Sequence, residues 1–366
     1  VIGGTIAIDH VKTPEAEAQN LLGGSAAYAA LASSFFSRPV NLIGIIGCDF
    51  PSEHLEMLET QGVSLGGVER SENESFTWSG EYHTNMNDRT THRVGLNVLE
   101  SWQVKVPADS ASSEIVVLAN MSPDNQMEML TQCAALKGVN GNATERFIIA
   151  DTMDLWIEIA NDRLHDVLPH LDLFVLNEGE ARDLAGTTNL VKAGRLLLEK
   201  GPAHVVVKLG EFGAMLFSQG GEVFRCSAYP LEQVADPTGA GDTFCGTTVA
   251  RILLGDHPVE AARRGNAAAA EMVAHLGPTA LWPATPSPHV PRDPRVVVDR
   301  TAVDGLAACL RDLPDLEGFP FVGDLFPPVG DQDRVAVLND QKILDADRRE
   351  QLPTRTMRDE IVIRQP

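Results

Sequence analysis

Asp236-Pro237-Thr238-Gly239-Ala240-Gly241-Asp242-Thr243-Phe244 is the stretch on which the fold turns. Two glycines around one small residue remove the side chains that would block a close approach, so successive backbone N–H groups converge on an anion. A helix beginning at Asp242 adds the positive end of its dipole to that field. The carboxylate of Asp242 then stands where it can take the proton of an attacking hydroxyl. The amides of Gly239, Ala240 and Gly241 stabilise charge that develops on a transferring phosphoryl group. The plain alternative is a capped helix behind a tight turn, as in many α/β proteins. A bare Gly-x-Gly-Asp favours that alternative, because short motifs match by chance; the longer string and the strand-rich chain ahead of it reverse the balance.

Upstream of the loop, short apolar runs recur at residues 1–8, 40–46, 115–118, 147–150, 173–176 and 205–209. They are too short for ordinary helices and too uniformly apolar for half-exposed strands, so they predict central strands of a mostly parallel sheet. Segments 24–36, 52–61, 190–200, 242–254 and 259–275 carry the helical signals between and after them. Residues 75–98 break the alternation: Phe76, Trp78 and Tyr82 share a period-2 face, Asn85-Met86-Asn87-Asp88 supplies a turn, and Val94, Leu96 and Val98 resume the pattern. This is a hairpin with one apolar face, read as a lid over a site, a dimer contact, or an edge hairpin packed on its own sheet. The Pro-rich stretch 282–291 ends the compact core near residue 282. Beyond it, residues 296–313 suit a strand and a helix, while 331–366 are dense in charge and weak in periodicity.

With 366 residues, 43% hydrophobic and 22% charged, the chain has the composition of a soluble globular protein. A formal charge of −22 argues against a nucleic-acid or anionic-membrane surface, since phosphates are repelled at long range. The five cysteines form no Cys-x-x-Cys pair and suggest neither a disulfide framework nor a zinc site. No apolar run reaches the roughly 18 to 20 residues of a membrane span. The first residues lack the basic region of a signal peptide. The expectation is a cytoplasmic protein.

The string 236–244 resembles the DxTGAGDxF signature of the ribokinase (PfkB-type) family of sugar and nucleoside kinases, and the similarity covers roughly residues 1–282. The resemblance implies a ribokinase-like three-layer α/β/α domain with a small β lid from about residues 11–22 and 75–98. Residues 283–366 then form a Pro-rich linker and a charged extension to which no function attaches. It also implies ATP and Mg²⁺, with Asp242 as general base and residues 239–242 as the anion hole. Asp9, at the end of the first strand, matches the acidic residue that binds substrate hydroxyls, and Gly23-Gly24 match the diglycine where the backbone approaches the sugar. Asn177 and Glu180 match the NxxE motif near the phosphates and the Mg²⁺ water shell. Lys208, Gly210 and Gly213 resemble the strand-end segment beside ATP, Thr238 lies on the same side, and Asn266 corresponds to a position near the adenine. Each has an ordinary alternative: a loop Asp, a turn before a helix, a surface Glu, a solvated strand-end Lys, a helix-surface Asn. In K⁺-activated members the first Asp of the signature and later carbonyls bind the ion. Here those positions are Asp236 with Ala274, Gly277 and Thr279, and a purely structural loop stays open beside that reading.

Two positions depart from the pattern. Tyr28 stands where the family often has a sugar-holding Asn, and Asn120 where ribokinase itself has an acidic residue that meets ribose. The hydrogen-bond inventory changes, so ribose is not carried over as substrate. Tyr28 either stacks on a ring or fills core. Asn85, Asn87 and Arg89 either reach substrate or are simply exposed turn residues, and Asp151 either lines the cleft or caps a loop. The expected activity is ATP-dependent phosphorylation of a hydroxymethyl group of a small sugar. The rivals are a nucleoside kinase, with Tyr28, Phe76 or Trp78 under a base, and a noncatalytic sugar-binding or interaction protein. Lids of this family often clasp a second copy, which implies a homodimer.

Overall fold

The computed structural model describes residues 1–136, 146–278 and 335–337. In chain order its elements are β1 (Ile2–Gly3), β2 (Ala7–Lys12), β3 (Glu17–Gly23), α1 (Ser25–Ser34), β4 (Val40–Ile46), α2 (Ser52–Thr60), β5 (Val63–Arg70), β6 (Phe76–Tyr82) and β7 (Arg89–Gly95). There follow α3 (Ala108–Ala111), β8 (Ile115–Leu118), α4 (Pro123–Gln132), β9 (Phe147–Asp151), α5 (Asp154–Ile159), α6 (Asn161–Val167), β10 (Leu173–Asn177), α7 (Glu178–Ala185) and α8 (Leu190–Leu198). The last are β11 (His204–Lys208), β12 (Ala214–Ser218), β13 (Val223–Cys226), α9 (Ala240–Leu253), α10 (Pro258–Val273) and β14 (Val335–Val337).

The large sheet has the order β14-β13-β12-β11-β10-β9-β8-β1-β4-β5, and among its described strands only β12 runs against the rest. Its strands are apolar on both faces because both faces are covered. Along β11, Val206 joins the core under α1, α9 and α10, while Val205 and Val207 join the core under α4, α6, α7 and α8. That alternation makes three layers, helix on sheet on helix.

The first apolar run does not remain one strand. Thr5 is claimed by the first turn of α1: its carbonyl accepts from the Ala26 N–H at 3.1 Å and its hydroxyl from the Ser25 N–H at 3.1 Å. The chain therefore leaves the large sheet, and β2 pairs instead with β3 and β6 in a second sheet of order β3-β2-β6-β7. Asp9 sits inside this lid and not at the end of a central strand. The lid also starts earlier than residue 11. Its apolar face stops short of the expected span, because Asn97 takes a positive φ of 46° and residues 97–99 form a 3₁₀ turn. Val94 and Leu96 are exposed at 48% and 39%, and Val98 alone of the three is buried.

α9 starts at Ala240, with Gly239 as its N-cap at φ +77°, so Asp242 lies within the first turn instead of opening it. α1 and α9 approach closely where a methyl group at Gly246 would overlap the carbonyl of Ala29, and the Ser33 hydroxyl donates to the Gly246 carbonyl at 2.9 Å. The amino ends of the two helices thereby come side by side at one mouth of the sheet. Three residues of the C-terminal extension, β14, lie parallel to the outer edge of β13, whose N–H and C=O groups offer a strand template. Thr279, the boundary near residue 282, the Pro-rich linker and the expected elements of 296–313 lie outside the described residues.

Candidate active site

Asp9 and the diglycine face each other across β2 and β3. A methyl group at Gly23 would overlap the Asp9 carboxyl group, so the absence of a side chain there is what seats the carboxylate. Asp9 is buried at 5% exposure. Burial, then the charges of Asp236 and Asp242, push its carboxyl up to about 8. Gly24 follows as the N-cap of α1 at φ +93°, and Tyr28 occupies the next turn of that helix, packed in the core with its ring against Gly239.

The signature loop is held from both sides. Asp236 is fully buried; one carboxylate oxygen accepts from the Thr238 N–H at 2.9 Å and the other from the Gly277 N–H at 3.0 Å. It therefore ties the start of α9 to the segment after α10, which is the structural-loop alternative in physical form. The Thr238 hydroxyl donates to the Tyr82 hydroxyl of the lid at 3.3 Å. The N–H groups of Ala240, Gly241 and Asp242 open α9, where a helix leaves its amides without intrahelical carbonyls. That of Ala240 is turned back to Pro237 at 3.3 Å, which leaves Gly241 and Asp242 to carry more of the anion field than the sequence implies. Asp242 is half-buried at the floor of the cleft. Burial and Asp151 raise its carboxyl to about 7, against Lys208 and Arg89, which pull it down.

Lys208 lies beneath this loop. A methyl group at Gly241 would stand 2.7 Å from its Nζ. Its nearest ion partner is Asp151, at 3.6 Å. Burial works against the ammonium, and Asp151, Glu180 and Asp242 outweigh it, so its pKa rises. Asp151 caps the loop after its strand, accepting from the Thr152 N–H at 2.7 Å, and also pairs with Lys208 beside the signature loop. It ends β9 as Asn177 ends β10 and Lys208 ends β11, and these are adjacent parallel strands. Side chains distant in the chain therefore meet at the carboxyl edge of the sheet. Asn177 and Glu180 form a reciprocal cap at the start of α7: the Asn177 side chain accepts from the Glu180 N–H at 2.9 Å and the Glu180 carboxylate from the Asn177 N–H at 2.8 Å. Glu180 is buried and not a surface residue, and burial, partly offset by Lys208, raises its carboxyl to about 7.

Asp151, Glu180 and Asp242 thus surround a single ammonium, an excess of buried negative charge. Among the described residues no cluster is set to ligate a metal directly. The surplus of carboxylates around one ammonium suits a site that receives a cation together with a bound nucleotide.

On the nucleotide side, Gly213 has φ +91°, and a methyl group there would overlap the Cys226 carbonyl of β13. At Gly210 a methyl group would lie 2.8 Å from the side-chain oxygen of Asn87, so the lid turn reaches this loop. Asn266 is buried, not on the helix surface, and donates to the Ser227 carbonyl at 3.3 Å. Asn120 is spent within the protein: its oxygen accepts from Trp156 Nε1 at 2.7 Å and its amide donates to Met153 Sδ at 3.0 Å. These bonds tie the end of β8 to α5.

The pfkB family carbohydrate kinase domain matches residues 3–285. The chain belongs to the PfkB family. It is a phosphotransferase with an alcohol group as acceptor, a carbohydrate or nucleoside kinase. A cytidine kinase of Thermococcus kodakarensis is 25% identical over 281 residues, covering 76% of this chain and 96% of that relative. Among solved structures, a putative ribokinase II from E. coli in complex with ATP and Mg²⁺ superposes with a TM-score of 0.64 at 23% identity, covering 76% of this chain and 93% of that one. A Burkholderia thailandensis nucleoside kinase in complex with inosine gives 0.63 at 17% identity, covering 84% and 96%. The ribokinase-like fold is shared with these solved structures. Among the described residues no helix is long and apolar enough to cross a membrane.

Proposed function

We propose that the chain transfers the γ-phosphoryl group of ATP to a hydroxymethyl group of a small sugar or nucleoside, with Asp242 taking the hydroxyl proton. The observation that carries this is the place of Asp242: in the first turn of α9, between the Asp9 half of the cleft and Lys208, with a carboxyl near 7. A base poised at that value is half in its working form at neutral pH and loses little driving force for proton transfer.

Asp9 accepts hydrogen bonds from acceptor hydroxyls and orients the substrate. Asp242 removes the proton as the acceptor oxygen forms its bond to phosphorus and the bond to the leaving ADP oxygen breaks. The N–H groups of Gly241 and Asp242, with the Lys208 ammonium beneath them, stabilise the charge on the transferring group. Asn177 and Glu180 would hold the water shell of a Mg²⁺ ion, which would supply charge neutralisation at the phosphates. Gly210, Gly213, Thr238 and Asn266 line the nucleotide side. The length over which the cytidine kinase matches, and the inosine-bound neighbour, support nucleosides beside sugars as acceptors.

A panel of ribose, fructose, 2-dehydro-3-deoxygluconate, cytidine, adenosine and inosine with MgATP identifies the acceptor. With that acceptor, Asp242→Asn lowers kcat by about 10² to 10⁴ while binding of both substrates survives. Turnover at the wild-type rate would sink the mechanism.

A further inference from the structure

β3 departs from its ladder with β2 at one place. Asp9 pairs with Leu21 and Val11 with Ala18, so His10 faces two residues, Gln19 and Asn20. Two against one is a β-bulge, which bends its strand and re-aims the side chains beside it. Asn20 takes φ +57°, a left-handed conformation that Asn tolerates better than most residues. Both of its main-chain groups go to imidazoles. The N–H donates to His10 Nδ1 at 3.2 Å, within the lid, and the carbonyl accepts from His54 Nε2 at 2.8 Å. His54 belongs to α2, which connects β4 to β5 of the large sheet, so this second bond joins the body to the lid.

His54 is 8% exposed, and its ring meets that of Phe50 edge-on with centroids 5.8 Å apart. The carbonyl partner places a proton on Nε2, and burial lowers the pKa of the ring, which keeps it neutral. Nδ1 is then buried with no partner among the described residues. Packing alone does not call for a ring with an unmet nitrogen, whereas the bond to Asn20 does call for a donor here. Directly beyond the bulge, Leu21 pairs with Asp9, and Gly23 admits the Asp9 carboxyl group.

We infer that His54 is a positioning residue for the acceptor: its bond to Asn20 fixes the bulge of β3 on the body, and the bulge sets where Asp9 stands. The inference rests on the kinase reading of the cleft for its effect on turnover, while the tether itself is measurable without substrate.

Wild type, His54→Leu and His54→Gln are compared as full chains. Leu removes the donor and keeps an apolar side chain, and Gln returns an N–H donor at nearly the reach of Nε2. Amide hydrogen exchange without ligand reads the tether. In His54→Leu, exchange across residues 17–23 speeds up at least about tenfold while β10 and β11 hold, and His54→Gln exchanges as wild type does. Initial rates with MgATP, and with D-ribose, fructose, cytidine and inosine as acceptor probes, read the consequence. For the probe that the wild type turns over best, acceptor KM rises at least about tenfold in His54→Leu, KM for ATP stays within about twofold, and His54→Gln recovers most of the loss. Unchanged exchange across residues 17–23 overturns the inference. So does an unchanged acceptor KM, an equal rise in both KM values, or a Gln variant no better than the Leu variant. A wild type that turns over no probe overturns the kinase reading and the positioning role with it, and exchange then shows on its own whether the tether exists.

Discussion

Asp9 and Asp242 carry the same carboxyl group in opposite duties, and their surroundings separate them. Asp242 has Lys208 and Arg89 to hold it near 7, whereas Asp9 sits with no such cation among its causes and rises to about 8. Activity follows the first. As pH rises from about 6 to about 8, kcat/KM climbs with deprotonation of Asp242 and then levels. Lys208→Met removes a charge that lowers that value, so the acidic limb moves to higher pH; a pH profile with an unmoved limb would separate the two residues. Stability follows the second. The folded pKa of Asp9 is raised from 3.8 to about 8, so the folded chain holds a proton that the unfolded chain releases. Its contribution is fully present below about pH 4 and is lost as pH rises through 8. Asp9→Asn is therefore more stable than wild type at pH 8, by at least about 3 °C in melting temperature, and the gap narrows toward pH 5 and closes near pH 4. Thermal scans across that range measure it. At this scale Asp242, Asp9 and Lys208 were legible because each stood at a recognisable offset from glycines or a strand end. The hydroxyl of Tyr28, buried with no hydrogen-bond partner among the described residues, was not, since Tyr in an Ala-rich helix looks the same whether its oxygen is paired or not.

The apolar runs located β4, β8, β9, β10 and β11 to within one residue at each end, because both-sided burial leaves an uninterrupted hydrophobic stretch, whereas β5, β12 and β13 of the same sheet match none of them. The lid was less legible. Its first strand was hidden inside the opening run, where Thr5 leaves the sheet to cap α1, a contact 20 residues distant that no local pattern announces. The same element makes a prediction about the nucleotide side. The turn of the β6–β7 hairpin places Asn87 against Gly210, which also has φ +56°. Gly210→Ala crowds that contact and strains the backbone by about 1 kcal/mol. The expected result is a several-fold higher KM for ATP with an unchanged acceptor KM, read from initial rates at saturating partner substrate. An equal rise in both would place the lid turn elsewhere.

For the whole molecule, sequence gives the strands but not their order, and the order makes the site. Asp151, Asn177 and Lys208 converge only because β9, β10 and β11 are neighbours. Sequence also gives the charge of −22, which opposes the approach of a nucleotide polyanion. Screening weakens that opposition, so KM for MgATP falls between about 20 mM and about 200 mM NaCl, and a rise instead would show that the local field of Lys208 and Arg89 dominates the approach. The lid meets the cleft at three places: Asp9 lies on β2, Tyr82 meets Thr238, and Asn87 meets Gly210. We expect this one small sheet to respond to both occupants, so that whichever substrate arrives first supplies part of the ordering that the second requires. The two affinities are then locked to a common factor: acceptor tightens nucleotide by the ratio in which nucleotide tightens acceptor.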